Sequence, residues 1–158
     1  MRYAFGNKIA ELVDKDKRIY VLVADIGYGV FDKLHSENPS HFINVGICEQ
    51  AMISIASGMA QEGLLPLCYT ITPFLLERPF EQIKLDIVQQ NQNVKLVGYG
   101  SYDAIGPSHT ALNVKATCDI LGIACVEPKD SKETEEVIEK IMKEDKPYFV
   151  SLKKDATL

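Results

Sequence analysis

Apolar and polar positions along the chain alternate between two regimes. Short, nearly continuous apolar runs predict strands at Ile19–Ala24, His41–Val45, Leu65–Thr70, Val94–Tyr99, Ile123–Glu127 and Tyr148–Leu152. Between them, apolar residues recur every three or four positions and predict helices at Ala4–Val13, Val30–Glu37, Glu49–Gln61, Pro79–Gln90, Asn113–Leu121 and Lys132–Glu144. Strands without a polar face are covered on both sides, and helices that alternate with them supply the cover. The fold class that follows is α/β: a three-layer α/β/α sandwich with a mostly parallel six-stranded sheet. The 158 residues suffice for one core, so 1–158 is taken as a single domain.

Charge refines this picture. From Asn38 to Leu76 the only Asp, Glu, Lys or Arg residues are Glu49 and Glu62, whereas Lys129 to Lys146 carries 12 charged residues in 18. The first stretch is expected to be central and the second to be a solvated outer helix. A carboxylate at Glu49, in so apolar a setting, is therefore conspicuous. Its plainer use is to complement the dipole of the helix it begins.

Open parallel sheets bind ligands beyond the carboxyl ends of their strands, where this chain has four unusual turns. They are Asp25-Ile26-Gly27-Tyr28-Gly29, Gly46-Ile47-Cys48-Glu49-Gln50, Thr70-Ile71-Thr72-Pro73-Phe74, and Gly100 to His109. None has the glycine spacing or the Lys-Ser/Thr ending of a phosphate loop, so a complete nucleotide site on this chain is not expected.

Other classes are set aside on composition. A net charge of −5 and a pI near 5.2 leave no electrostatic footprint for nucleic acid. The longest uncharged run, Gly63 to Leu76, is 14 residues with two prolines, too short for a membrane span. The first residues lack the apolar core of a secretory signal, and Cys48, Cys68, Cys118 and Cys125 show neither CxxC nor zinc-ligand spacing. Reduced thiols, no metal held by this chain and a cytoplasmic location are the expectations.

Six segments in order resemble the pyrimidine-binding domain of transketolases. They are Ala24-Asp25-Ile26-Gly27, Phe42 through Gln50, Ala56 through Gly63, Phe74 with Arg78-Pro79-Phe80-Glu81-Gln82-Ile83, Gly106-Pro107-Ser108-His109, and Pro128-Lys129-Asp130. The resemblance spans nearly the whole chain; deoxyxylulose phosphate synthase and the β chains of pyruvate dehydrogenase-type enzymes share the domain.

The resemblance implies a thiamine diphosphate enzyme that moves a two-carbon ketol unit between sugars. Glu49 matches the glutamate that contacts a ring nitrogen of the aminopyrimidine. Phe74 and Phe80 fall where aromatic residues surround that ring, and Asp25 matches a turn near the cofactor. His109 matches a substrate-hydroxyl or proton-relay ligand, while Tyr102 replaces an upstream His. Lys153 or Lys154 lies near a phosphate-binding Arg, and Arg2 aligns with another phosphate ligand. Lys154 is the substrate-binding candidate carried forward, although a lysine cannot copy a bidentate guanidinium. A small sugar that is non-phosphorylated, deoxy or carrier-linked fits these departures.

The family's segment for diphosphate and Mg2+ is absent from this sequence. The expected partner is a separate subunit carrying that domain, in a hetero-oligomer such as a heterotetramer. The chain also ends where a transketolase passes into its third domain. Two alternatives stay open: the small subunit of a two-subunit 2-oxo acid decarboxylase, and a non-catalytic assembly subunit.

Overall fold

The computed structural model describes residues 1–153. Strands β1 (Ile19–Val23), β2 (Phe42–Asn44), β3 (Leu65–Ile71), β4 (Lys95–Tyr99), β5 (Ala124–Val126) and β6 (Tyr148–Leu152) form one sheet in the order β2-β1-β3-β4-β6-β5. Every neighbouring pair is parallel.

Side-chain alternation along each strand divides the core into two. Val21 and Val23 of β1, Leu67 and Tyr69 of β3, Val97 and Tyr99 of β4, and Val150 and Leu152 of β6 point to one face. Leu22, Cys68, Leu96 and Phe149, one register position away, point to the other. The first face is covered by α1 (Arg2–Lys15), α2 (Asp32–Glu37) and α7 (Ser131–Ile141) through Phe5, Ile9, Val13, Leu34, Ile138 and Ile141. The second is covered by α3 (Glu49–Gln61), α4 (Thr72–Leu76), α5 (Phe80–Gln82) and α6 (Val114–Leu121). The predicted three-layer sandwich is the observed one, with the sheet wholly parallel.

Three local differences have physical causes. The edge strands β2 and β5 are shorter than their apolar runs because each has one neighbour only. The segment after β3 is a helix, α4, with proline in its first turn, where a missing N–H costs nothing. Gly98 of β4 makes room for it: a Cβ there would lie 2.9 Å from the Thr72 hydroxyl and 3.0 Å from the Thr72 Cα. The predicted Pro79–Gln90 helix widens after α5 into a π-helical stretch, Ile83–Val88, in which the Gln89 and Gln92 N–H groups donate to the Lys84 and Ile87 carbonyls. Within it, the Asp86 carbonyl accepts from the Ser57 hydroxyl at 2.9 Å and the Asp86 carboxylate from Ser54 at 2.7 Å, so α3 engages backbone that a regular helix would keep.

The chain leaves β1 toward β2 at one edge and then crosses back to β3 on β1's other side. This reversal is a topological switch point, and the carboxyl ends of β1, β2 and β3 surround it.

Candidate functional site

Asn44 ties the first two turns together. Its side-chain carbonyl accepts from the backbone N–H groups of Asp25 and Gly46, both at 3.0 Å, and its amide donates to the Asp25 carboxylate at 3.1 Å. Asp25 has φ 53° and Gly46 φ 77°, left-handed conformations that Asp and Gly accept more readily than most residues. Asp25 is thus a turn residue, also accepting from the Tyr28 hydroxyl at 3.3 Å. It reaches Glu49 only through the Asn44 and Gly46 turn.

That turn delivers Glu49 as the first residue of α3, 3% exposed. The chain supplies its counter-charge from 29 residues away: Arg78 Nη1 donates to Glu49 Oε1 at 2.9 Å. The Arg78 guanidinium also lies over the face of Phe74, its carbon 3.5 Å from the ring centroid. The His109 ring meets Phe74 edge-on, centroids 4.8 Å apart and planes 71° apart. Glu49, Arg78, Phe74 and His109 form one continuous group.

The His109 loop is held by its own backbone and by α4. The His109 N–H donates to the Gly106 carbonyl and its carbonyl accepts from the Tyr102 N–H at 2.8 Å. Ser108 Oγ lies 3.0 Å from His109 Nδ1. Further along, the Leu112 N–H donates to Glu77 Oε1 at 2.9 Å, which fastens the loop to the residue that ends α4.

The predicted site residues therefore divide. Glu49, Phe74 and His109 come together. Phe80 does not join them: it packs on the α3–α6 core cluster and borders a cleft of about 310 Å³ with Lys84, Val88, Gln89, Ile120 and Leu121. Its place as the first residue of α5, directly after the N-cap Pro79, turns the ring into that layer. Tyr102 shares a backbone bond with His109, but its ring packs against the opposite core cluster, on the α1 side. Burial raises the Tyr102 phenol above its ordinary value, reinforced by Tyr99 and opposed by Arg2. Lys154 lies outside the described residues. Lys153 is 4.0 Å from Glu127.

Sequence reasoning quoted Asn44 and Arg78 within motifs and noted Glu77 beside Arg78, yet gave none of the three a role. The available signal for Arg78 was chemical: a carboxylate in an uncharged stretch requires a cation from elsewhere. Among the described residues no three His, Cys, Asp or Glu side chains are placed to hold a metal ion, and no helix is long and apolar enough to cross a membrane.

A doubly wound parallel sheet with a buried carboxylate and an aromatic face at its switch point defines a class of ligand-binding α/β domains. Within that class the chain belongs to the family described as the transketolase pyrimidine-binding domain, which it matches over residues 1–157. The 6-deoxy-6-sulfo-D-fructose transketolase subunit SqwH of Clostridium sp. strain MSTE9 is 29% identical over 157 residues, 96% of this chain and 49% of its own length. A 1-deoxy-D-xylulose-5-phosphate synthase of Microcystis aeruginosa is 33% identical over 143 residues, 85% of this chain and 22% of its own. A solved structure described as a split gene transketolase, inactive beta4 tetramer, superposes with a TM-score of 0.87 at 28% identity, covering 96% of this chain and 50% of that one. The chain spans half or less of the length of each of these relatives.

Proposed function

We propose that this chain provides the aminopyrimidine half-site of a thiamine diphosphate-dependent, transketolase-like enzyme that transfers a two-carbon ketol unit between small sugars. The observation that carries the reading is the buried Glu49 carboxylate, joined through the Arg78 guanidinium to the face of Phe74. A carboxylate edge and an aromatic plane suit the aminopyrimidine, whose ring nitrogens need a hydrogen-bond partner and whose faces need an apolar contact. The likeness to a transketolase subunit and to a split gene transketolase supports assigning the diphosphate and Mg2+ to a separate subunit.

Bound there, the cofactor would supply the electron sink for breaking a carbon–carbon bond beside a carbonyl. This chain's residues do the rest of the work on their side. Glu49 shares a proton with a ring nitrogen of the aminopyrimidine, Phe74 fixes the plane of that ring, and burial of the carboxylate excludes competing water. His109, across Phe74, exchanges a proton with a substrate hydroxyl. Asp25 and Asn44 hold the turn that aims Glu49. Tyr102, whose ring packs on the α1 side of the same loop, is not assigned to this half-site.

The relative described as an inactive β4 tetramer supports a half-site that works only with a second chain, in a hetero-oligomer such as a heterotetramer. The free cysteines support a cytoplasmic location. The test is to mix the chain with a subunit bearing the diphosphate domain and titrate thiamine diphosphate with Mg2+. Activity with an aldose acceptor should appear only in the mixture and fall severely for Glu49→Ala while the complex still assembles. Activity of the chain alone overturns the partnership. Release of carbon dioxide from a 2-oxo acid without ketol transfer establishes the decarboxylase alternative, and retained activity in Glu49→Ala establishes an assembly subunit.

A further inference from the structure

Arg78 makes two contacts that the proposed ligand also needs. One N–H meets the one buried carboxylate of the site, and its guanidinium carbon lies over the Phe74 ring, 3.5 Å from the centroid. An aminopyrimidine presents a comparable pair of features, a ring nitrogen that can share a proton with a carboxylate and a flat face. Among the described residues the Arg78 side chain has no other hydrogen bond or ion pair. Building on the reading above, we propose that Arg78 is a stand-in for the aminopyrimidine: it fills the Glu49 and Phe74 contacts in the unloaded chain and swings out when the cofactor enters.

The environment fits such a device. Glu49 at 3% exposure cannot be left without a partner, because an unpaired buried carboxylate is strongly unfavourable. Arg78, by contrast, has a side chain 35% exposed, so it already touches the solvent into which it would move. It sits between α4 and α5, so releasing its side chain breaks no helix. Guanidinium is the cation suited to this exchange, being planar, weakly hydrated and able to stack on an aromatic ring while donating in its own plane. The apparent affinity for the ligand is then reduced by the fraction of chains in which Arg78 occupies the site.

The experiment is a titration of the full chain with thiamine, which carries the aminopyrimidine without the diphosphate, followed by NMR of the arginine side chains. In the free chain the Arg78 guanidinium signals should be displaced by the Phe74 ring current, and Phe74→Leu should remove the displacement. As thiamine saturates the site, they should return to the position of a solvated arginine. Arg78→Ala should bind thiamine about threefold to tenfold more tightly than the parent. Should Arg78→Ala fold poorly, Arg78→Lys retains the charge and loses the flat face, and a smaller gain is expected. Signals that stay displaced at saturation, with weaker binding in both variants, would make Arg78 a direct cofactor contact and overturn the stand-in alone. Absence of binding in the parent and both variants would overturn the aminopyrimidine site itself, and the stand-in with it.

Discussion

Two buried ions sit at opposite ends of this sheet, and they are compensated in opposite ways. At the carboxyl edge, Glu49 is neutralised by one long, partly exposed side chain. At the amino edge, Lys95 opens β4 at 1% exposure and donates to three oxygens: Asn93 Oδ1 at 2.6 Å, the Glu144 carbonyl at 2.9 Å and the Lys146 carbonyl at 2.6 Å. Two of these acceptors are backbone, so the ammonium clamps the connection between α7 and β6 to the head of β4. Fixed neutral acceptors make an ion structural; a single swinging counter-ion leaves the other ion available. On the proposed function, the difference separates the end of the sheet that holds the fold from the end that is offered to a ligand.

The sharpest way to break this contrast is to remove Glu49. In a complex with the diphosphate-bearing subunit, Glu49→Ala should lower turnover by roughly 10²- to 10⁴-fold, the range for loss of a positioned proton-transfer group. Its effect on folding should be small, since Arg78 is free to extend into solvent. Turnover assays paired with urea melts check both halves. A variant that unfolds as readily as it loses activity would make Glu49 another structural ion.

Lys95 should behave the other way round. Lys95→Met leaves two carbonyls and an amide without their donor and should cost about 3 kcal/mol of stability at neutral pH, measured by urea unfolding, with the Glu49–Arg78 pair unchanged in whatever remains folded. The pH dependence has a definite sign. Burial lowers Lys95 from 10.5 to about 8, opposed by Glu144 and Asp145 and aided by Lys146. Between about pH 8 and 10.5 the unfolded chain therefore binds more protons at this site than the folded one, and stability from Lys95 rises with pH through that window. The parent should gain on the order of 1–3 kcal/mol relative to Lys95→Met across it. A flat difference would show that the ammonium stays charged and that its three acceptors outweigh desolvation.

How much of each end was visible beforehand follows from the range of the interactions. The strands and most helices follow from local periodicity, since Val21, Leu22 and Val23 declare a doubly covered strand without reference to anything distant. Glu49 was visible for the same reason, as a lone charge in an apolar stretch. Its partner was not, because the sequence holds no local trace of a contact between residues 29 apart. Lys95 was hidden inside the Val94–Tyr99 run, where one lysine among apolar neighbours looks like a strand end. The short helix α4 was concealed by its length, although Thr72-Pro73 is a recognisable helix start.

Gly98 offers a smaller perturbation between the two ends. An added Cβ would meet the Phe149 ring at 2.9 Å and the Thr72 backbone at 3.0 Å. The ring can turn, but the backbone of α4 must move outward. Gly98→Ala should cost about 1–3 kcal/mol, the range for overpacking a well-filled core. It should also carry Phe74 away from its position beside Arg78 and His109. Comparing the thermal melt with thiamine binding separates the two effects, and full binding in a destabilised variant would show that α4 need not be fixed for the site to work.

The mildest test acts on the loop alone. Glu77 lies outside both ion sites, and its one described hydrogen bond accepts from the Leu112 N–H, three residues beyond His109. Glu77→Ala removes a single partly exposed hydrogen bond and should cost about 1 kcal/mol or less. What it frees is the far end of the loop, while the Tyr102–His109 and Gly106–His109 backbone bonds continue to hold the near end. If His109 acts on substrate and not on the cofactor, the variant in complex with its partner should show a raised KM for the sugar, by a few-fold, with thiamine binding to the chain unchanged. Equal losses in sugar and thiamine binding would mean that His109 reaches the ligand through Phe74, and the carboxyl edge would then be one coupled unit with Glu49 and Arg78 at its centre.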